Sequence, residues 1–209
     1  MTVFVKILGD TYPVLELSFF RNIFGFLPIL LIIFFTKKLY KNDFSIGKKY
    51  NLFCAIRGFS VNIAQFCFYL ALTKLEYATA NTLAFSGPFF VTLLSIPILG
   101  HSIGIWRWGA VLLGFFGVIL IMKPGGEIFT YYSFLPIVAA LCYALSSVLV
   151  KLFRKSVPSI IIQLYTQFYC LIGSIFLLFV FVDFVTIQNL KDFVFLILIG
   201  TSGSLGVFF

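Results

Sequence analysis

The sequence predicts an all-α membrane protein, a polytopic bundle of transmembrane helices. Hydrophobic residues make up 61% of the 209 positions, and the mean hydropathy is +1.11. Charged residues amount to 11% and stand mostly between long apolar runs. A spanning helix needs roughly 20 mostly apolar residues, because the hydrocarbon core is about 30 Å thick and a helix rises about 1.5 Å per residue.

Seven apolar segments are predicted as spans: residues 14–36, 52–73, 77–99, 105–122, 131–152, 158–182 and 193–209. The fourth has a short apolar run, and we expect it to complete its span with Trp106 and the long side chain of Arg107 at the interface. Residues 1–8 are too short for the apolar core of a signal peptide. We expect them to be the tail of a helix that begins earlier.

The connections between these segments alternate in positive charge. One set of connections holds nine basic residues: Lys37, Lys38, Lys41, Lys48, Lys49, Arg107, Lys151, Arg154 and Lys155. The other set holds four: Lys6, Lys74, Lys123 and Lys191. Basic residues accumulate on the cytoplasmic side of membrane proteins, so the set of nine is predicted to face the cytoplasm. The net charge of +8 therefore indicates membrane orientation and not nucleic-acid binding.

Self-similarity at an offset of 145 residues indicates an internal duplication. The identical residues in register are Val3, Val5, Lys6 and Pro13 with Val148, Val150, Lys151 and Pro158, and Gly58 with Gly203. Lys6 is predicted outside and its equivalent Lys151 inside, so the repeating unit holds an odd number of spans and its two copies are inverted. Inverted repeats are a recurring plan of secondary transporters, with the substrate site between the halves.

The duplication predicts two repeats of five helices, ten in a complete molecule, of which about seven are visible here. Residues 1–126 are predicted to form the first repeat without most of its first helix. Residues 127–209 are predicted to form a second repeat that is truncated at its C-terminal end.

Polar groups inside the apolar segments are the candidate substrate path, because a charge in a bilayer is costly and normally faces the bundle interior or water. The candidates are Glu16, Arg21, Arg57, Asn62, Gln65, Asn81, Ser86 and Pro88. Glu16 and Arg21 point about 140° apart on an ideal helix, so a direct pair is not expected. Arg21 is expected to reach another helix, a helix-end carbonyl, or a substrate carboxylate or phosphate. The alternative is that the Arg21 side chain extends to the outer membrane surface.

The other candidates also leave alternatives open. Arg57 either serves the path or extends to the cytoplasmic surface. Asn62 and Gln65 share a helix face and either line a path or hydrogen-bond between helices. Pro88 interrupts the helix ladder, which frees backbone carbonyls for a ligand or for neighbouring side chains and water. Glu16 is the acidic residue clearly within a span. If transport is coupled to protons, Glu16 is the residue expected to bind and release them. If Glu16 does not have this role, exchange or facilitated movement is expected.

No metal, cofactor or catalytic site is predicted. The cysteines lie singly in apolar runs, and His101 has no His or Cys partner nearby in sequence, so we expect no zinc site. An enzyme would need clustered catalytic groups, so enzymatic activity is not expected. A non-transporting receptor or assembly factor stays open as an alternative to a transporter. The expected partners are the lipid bilayer and a small-molecule substrate, with a homodimer left open.

Several short motifs, in their order and spacing, resemble the EamA-type branch of the drug/metabolite transporter superfamily. They are Glu16-Leu-Ser-Phe-Phe-Arg21, Arg57-Gly58, Tyr69-Leu-Ala-Leu72, Gly87-Pro88-Phe-Phe-Val91, Trp108-Gly-Ala-Val-Leu-Leu-Gly114 and Met122-Lys-Pro-Gly125. The Phe-Phe-Arg and Met-Lys-Pro elements are also similar to bacterial S-adenosylmethionine exchangers of this superfamily. The chain departs from the family at His101, where members usually carry a glutamate.

The resemblance implies a secondary carrier or exchanger in a bacterial inner membrane. Its substrate would be a small polar metabolite, such as an amino acid derivative or a nucleoside-like compound, moved by alternating access.

Overall fold

The computed structural model describes residues 2–9, 11–36, 47–100, 104–122, 130–153, 157–181 and 190–205, and these residues are largely helical. The helices are α1 (Thr2–Leu8), α2 (Val14–Thr36), α3 (Lys48–Lys74), α4 (Tyr77–Ala84), α5 (Gly87–Leu99), α6 (Ile105–Met122), α7 (Phe134–Val150), α8 (Ser159–Phe181) and α9 (Leu190–Leu205). A 3₁₀ turn at Tyr131–Ser133 precedes α7.

Five helical segments in the described part of the chain are long and apolar enough to cross a membrane. They are Val14–Phe35, Tyr50–Lys74, Tyr77–Leu99, Tyr131–Val150 and Ser159–Val180. They confirm five of the seven predicted spans and the assignment of the chain as an all-α, multi-pass membrane protein.

The other two predicted spans fall on α6 and α9. The helix α6 has 18 residues and the same bounds as the predicted segment 105–122, which is within the range of about 17–25 residues for a crossing. The described helix α9 has 16 residues, and the end of the predicted segment 193–209 lies outside the described residues.

The helices α2 and α8 begin in the same way. Each follows a proline, whose fixed φ suits the start of a helix. The Pro13 carbonyl accepts the N–H groups of Glu16 and Leu17 at 3.0 and 3.1 Å, and the Pro158 carbonyl accepts those of Ile161 and Ile162 at 3.0 and 3.3 Å. Both helices have 23 residues. The first and last residues of α8 each lie 145 residues after those of α2, which is the offset of the predicted duplication.

By its contacts the chain divides into two compact units, and the first comprises Met1–Asn62 and Arg154–Phe209. In this unit α2 packs against α8 and α9, and α1 packs against α9. The Tyr12 hydroxyl donates to Asp192 Oδ2 at 3.0 Å, which ties the turn before α2 to the start of α9. This division follows the contacts and combines both ends of the chain. The repeats 1–126 and 127–209 stay a prediction, since their boundary lies outside the described residues.

The helices α2 and α8 run antiparallel. Asn22 of α2 hydrogen-bonds Gln167 of α8. Ile29, seven residues further along α2, packs in a buried cluster with Ile160, which lies seven residues back along α8. Movement toward the C-terminus on one helix therefore corresponds to movement toward the N-terminus on the other.

Two helix contacts in the first unit require glycine. A Cβ on Gly58 of α3 would lie 2.6 Å from Tyr169 Cβ and 2.8 Å from the Thr166 carbonyl oxygen of α8. A Cβ on Gly200 of α9 would lie 3.0 Å from the backbone nitrogen of Gly25 of α2. Small residues let helix backbones approach closely in membranes, where van der Waals packing drives association.

The second unit comprises Ile63–Phe153. Here α4 and α5 each pack against α6 and α7. Between α4 and α5, backbone hydrogen bonds connect residues three apart instead of four. Ser86 N–H donates to the Leu83 carbonyl at 3.2 Å, and Phe89 N–H donates to the Ser86 carbonyl at 3.1 Å. Pro88 has no N–H for the carbonyl four residues earlier. This confirms the predicted interruption of the ladder.

All four cysteines are free; Cys54, Cys67 and Cys170 are buried, and Cys142 is half-buried.

Candidate functional site

Three charged side chains are buried among the residues that the structure describes. Glu16 is 0% exposed, Arg21 8% and Arg57 6%, and all three belong to the first unit. Arg21 is the eighth residue of α2, and Arg57 is the tenth residue of α3, roughly 10 and 14 Å from the respective helix starts. The helix α3 begins four residues before the predicted position 52, with the largely polar residues 48–51. Both arginine side chains are buried within the protein.

Arg57 is joined to α8. Its Nη1 donates to Thr166 Oγ1 at 3.0 Å. The Thr166 hydroxyl donates in turn to the Ile162 carbonyl of its own helix at 2.7 Å. The hydroxyl is therefore oriented as an acceptor for the guanidinium.

Arg21 is joined to the same helix through its neighbour Asn22. Arg21 Nη1 donates to Asn22 Oδ1 at 3.3 Å, and Asn22 Nδ2 donates to Ser174 Oγ at 3.2 Å. Gln167 Nε2 donates to the Asn22 carbonyl at 2.9 Å. Asn22, Gln167 and Ser174 are all buried. Their bonds satisfy polar groups that would be costly in an apolar interior.

Both arginines are thus linked to α8, Arg57 directly and Arg21 through Asn22. Thr166 and Gln167 are consecutive residues there, and one binds Arg57 while the other binds the neighbour of Arg21. We call this set the arginine network: Arg21, Asn22, Arg57, Thr166, Gln167 and Ser174. It contains Arg21 and Arg57 from the predicted site, held by three helices.

One face of α3 carries the predicted positions Asn62 and Gln65 together with Tyr69, which was not predicted. Asn62, Gln65 and Tyr69 are buried and lie within about 60° of each other around the helix axis. Asn62 Nδ2 donates to the Cys170 carbonyl of α8 at 2.8 Å, so for this residue the structure shows the interhelical hydrogen bond. Among the five candidate spans, the one within α3 has the lowest hydropathy and the largest buried share.

The predicted residues Asn81, Ser86 and Pro88 belong to the second unit. Asn81 Nδ2 donates to the Tyr77 carbonyl of its own helix at 2.8 Å. Ser86 is 1% exposed, and its Oγ has no hydrogen-bond partner among the described residues. Pro88 is exposed. Ser86 and Pro88 lie at the interruption between α4 and α5, in the second unit, whereas the arginine network lies in the first unit.

The sequence did not single out Thr166 and Ser174 as site residues. The repeat offset carries a signal for one of the two, because it aligns Arg21 with Thr166 and Asn22 with Gln167. Ser174 has no comparable signal, since its role depends on how α8 is rotated against α2.

Within the ranges that the structure covers, no group of three His, Cys, Asp or Glu side chains is arranged to hold a metal ion. His101 lies outside the described residues.

Comparison with known proteins identifies one transporter family. The profile of the EamA-like transporter family matches residues 1–123. An S-adenosylmethionine uptake transporter of Rickettsia felis is 26% identical over 208 residues, which is 99% of this chain and 68% of the relative. The pseudopaline exporter CntI of Pseudomonas aeruginosa is 25% identical over 210 residues, 100% of this chain and 71% of the relative. No solved structure matches the chain.

Proposed function

Because the chain belongs to the EamA-like transporter family, we propose that it is a secondary carrier or exchanger that moves a small polar metabolite by alternating access. The family and the bacterial relatives agree with the predicted location in a bacterial inner membrane. The named relatives are transporters. They support a transport function over an enzymatic one.

The arginine network is the observation that carries this proposal. Charged and amide side chains are expensive in a bilayer, and they normally mark substrate or ion pathways. Here they meet within the bundle from α2, α3 and α8. A protein that served only as a membrane anchor would not need this cluster, since its helices could pack through apolar and small residues.

The relation between α2 and α8 supports inverted repeats, proposed here as residues 1–126 and 127–209. The two helices have equal length, stand 145 residues apart and run antiparallel. The equivalent positions Asn22 and Gln167 contact each other. A two-fold operation brings equivalent positions together only near its axis. The proposed axis therefore passes between these two side chains, and the halves would rock about it.

The proposed substrate path uses Glu16, Arg21, Arg57, Asn62, Gln65, Asn81, Ser86 and Pro88. The substrate is an amino acid derivative or a nucleoside-like compound. The S-adenosylmethionine in the name of one group of relatives supports this class. A homodimer stays a prediction.

Transport by the full-length protein in proteoliposomes tests the proposal. A panel of labelled S-adenosylmethionine, amino acids and nucleosides identifies a substrate. We expect Arg21→Ala and Glu16→Gln to reduce its uptake to background while membrane insertion is retained, because each change removes a buried charge from α2, within the proposed path.

Ile23→Ala is the matched control, since Ile23 lies on the same helix and is 36% exposed. It should transport at the wild-type rate. Wild-type rates in both Arg21→Ala and Glu16→Gln would remove these residues from the mechanism. Failure of every solute in the panel would count against the proposed substrate class.

A further inference from the structure

We infer that Ser86 is a specificity-determining residue, whose hydroxyl donates a hydrogen bond to an acceptor atom of the solute. This role rests on the proposed transport function. It specifies the chemistry at one point of the proposed path, because the solute must present a carboxylate, carbonyl or ring-nitrogen acceptor to the interruption between α4 and α5.

The Ser86 hydroxyl is buried without a hydrogen-bond partner in the part of the chain that the structure describes. The residue is 1% exposed, and its Oγ makes no hydrogen bond to the described residues. A buried polar group loses its hydration on folding and is costly unless it is paired again. In native proteins such groups are nearly always bonded to protein, water or a ligand. A partner from outside the chain is therefore expected.

Other serines of the chain bond within their own helices. The buried residues Ser60, Ser174 and Ser204 donate to the carbonyls of Ile56, Leu171 and Gly200 at 2.8, 3.0 and 3.2 Å. In α5, Ser95 donates to the Thr92 carbonyl at 2.7 Å. A carbonyl three or four residues earlier is the usual acceptor of a helical serine. Ser86 departs from this pattern, so its O–H proton is the group left over.

The helix interruption explains why Ser86 differs. The carbonyls three and four residues before it, those of Leu83 and Thr82, already accept the backbone N–H groups of Ser86 and Phe85, both at 3.2 Å. Bonds between residues three apart bring side chains at that spacing over each other. Ser86 therefore lies over Leu83, on the face of the span where Ala80 and Leu83 are fully buried.

The missing partner is assigned as an acceptor because buried backbone donors are left unpaired less often than buried acceptors. Its source is limited by depth. Ser86 is the tenth residue of the 23-residue span Tyr77–Leu99, roughly 14 Å from the start of that span. A lipid headgroup does not reach this level, which leaves a solute or a water molecule. We assign the solute, which reaches the closed-off hydroxyl when the proposed carrier opens.

Thermal unfolding of the purified full-length protein in a neutral detergent, without added solute, tests the missing bond. We expect Ser86→Ala to raise the melting temperature by roughly 2–4 °C, because the unpaired hydroxyl is removed. Ser95→Ala is the matched control. It removes a hydroxyl that is already bonded to its own helix, so it should not raise the melting temperature. A lower melting temperature for Ser86→Ala would show that the hydroxyl holds a fixed water or another part of the chain, and would overturn the assignment.

Binding of paired probes to the same protein tests the acceptor. L-methionine is compared with 3-(methylthio)propylamine, which lacks the carboxylate. Adenosine is compared with 3-deazaadenosine and with 7-deazaadenosine, each of which lacks one ring nitrogen. We expect at least one acceptor-bearing probe to bind roughly tenfold more tightly than its partner, because a site built to hydrogen-bond a group rejects the analogue without it.

This ratio of affinities should fall to about one in Ser86→Ala and persist in Ser95→Ala. If Ser86→Ala does not fold, Ser86→Cys replaces it. A reduced ratio in the cysteine variant supports the assignment, because a thiol is a similar group but a weaker donor.

Equal binding of the paired probes, no binding of any probe, or an unchanged ratio in Ser86→Ala would overturn the assignment. Equal binding is the result expected if a water molecule is the partner. Neither measurement depends on transport. Uptake with the same KM in wild type and Ser86→Ala would therefore refute the role of Ser86 while supporting the proposed function.

Discussion

At the scale of single residues, Gly58 sets the distance between α3 and α8. The space for its missing side chain is taken by the backbone and Cβ of Thr166, Tyr169 and Cys170. These atoms belong to one helical turn, so they cannot move aside as a flexible side chain could. Arg57 immediately precedes Gly58, and its bond to Thr166 is made at this close approach.

We predict that Gly58→Ala destabilises the protein, because the new methyl group overlaps the backbone of α8. Overpacking of this kind costs about 1–3 kcal/mol, or a loss of roughly 2–4 °C in melting temperature per kcal/mol. Thermal unfolding in detergent measures it. Gly117→Ala is the control, since a Cβ at Gly117 meets nothing within 4 Å. Equal melting temperatures for the two variants would contradict the close approach.

At the scale of the elements, the interruption between α4 and α5 depends on Pro88. Phe85 and Ser86 keep helical backbone angles, so the chain tightens here without leaving the helical region. The lost hydrogen bond makes this a weak point in the middle of the span, whereas the other proline of the span, Pro97, lies close to its end. Local weak points of this type are where helices in carriers bend.

We predict that Pro88→Ala slows transport several-fold and stabilises the protein, by up to about 3 kcal/mol if the ladder closes completely. The alanine N–H can donate to the Ala84 carbonyl, and α4 and α5 then merge into one rigid helix. Initial uptake rates and melting temperatures provide the measurements.

Pro97→Ala makes the same chemical change inside α5, close to its end at Leu99, and should leave uptake unchanged. An equal loss of uptake in both variants would show that the position of the interruption is unimportant.

The positions of the elements could largely be predicted from the sequence, but their polar contacts could not. Apolar length fixed α2 at residues 14–36 and α8 to within one residue at each end, because the bilayer sets that length. Apolar length did not predict the start of α3, where the helix extends toward the N-terminus of its apolar part through polar residues such as Lys48 and Asn51. Such polar turns at the interface carry no hydropathy signal.

The candidate site was predictable in part. Arg21 and Arg57 stood out because charges inside apolar runs are rare. Their attachment to α8 was not predictable, because it depends on the rotation and spacing of three helices. The same limit applies to Asn62, whose bond to the Cys170 carbonyl is decided by how closely Gly58 lets α3 approach.

At the scale of the whole molecule, the proposed inverted repeats require a specific topology. We predict that reporters fused after Lys41 and Lys155 both lie in the cytoplasm, and that reporters after Lys74 and Lys191 both lie outside. Alkaline phosphatase and green fluorescent protein fusions at the four positions distinguish the two sides. Lys41 and Lys155 on opposite sides of the membrane would rule out the inverted arrangement.

The hydrogen bond between Tyr12 and Asp192 would make the two proposed repeats unequal. At the repeat offset their counterparts are Val157 and Gly47, whose side chains offer neither a donor nor an acceptor. A perfectly mirrored carrier would rest equally often with its opening toward either compartment. For the proposed alternating-access carrier we therefore expect a preferred resting orientation of the empty protein, because this hydrogen bond has no equivalent at the repeat offset.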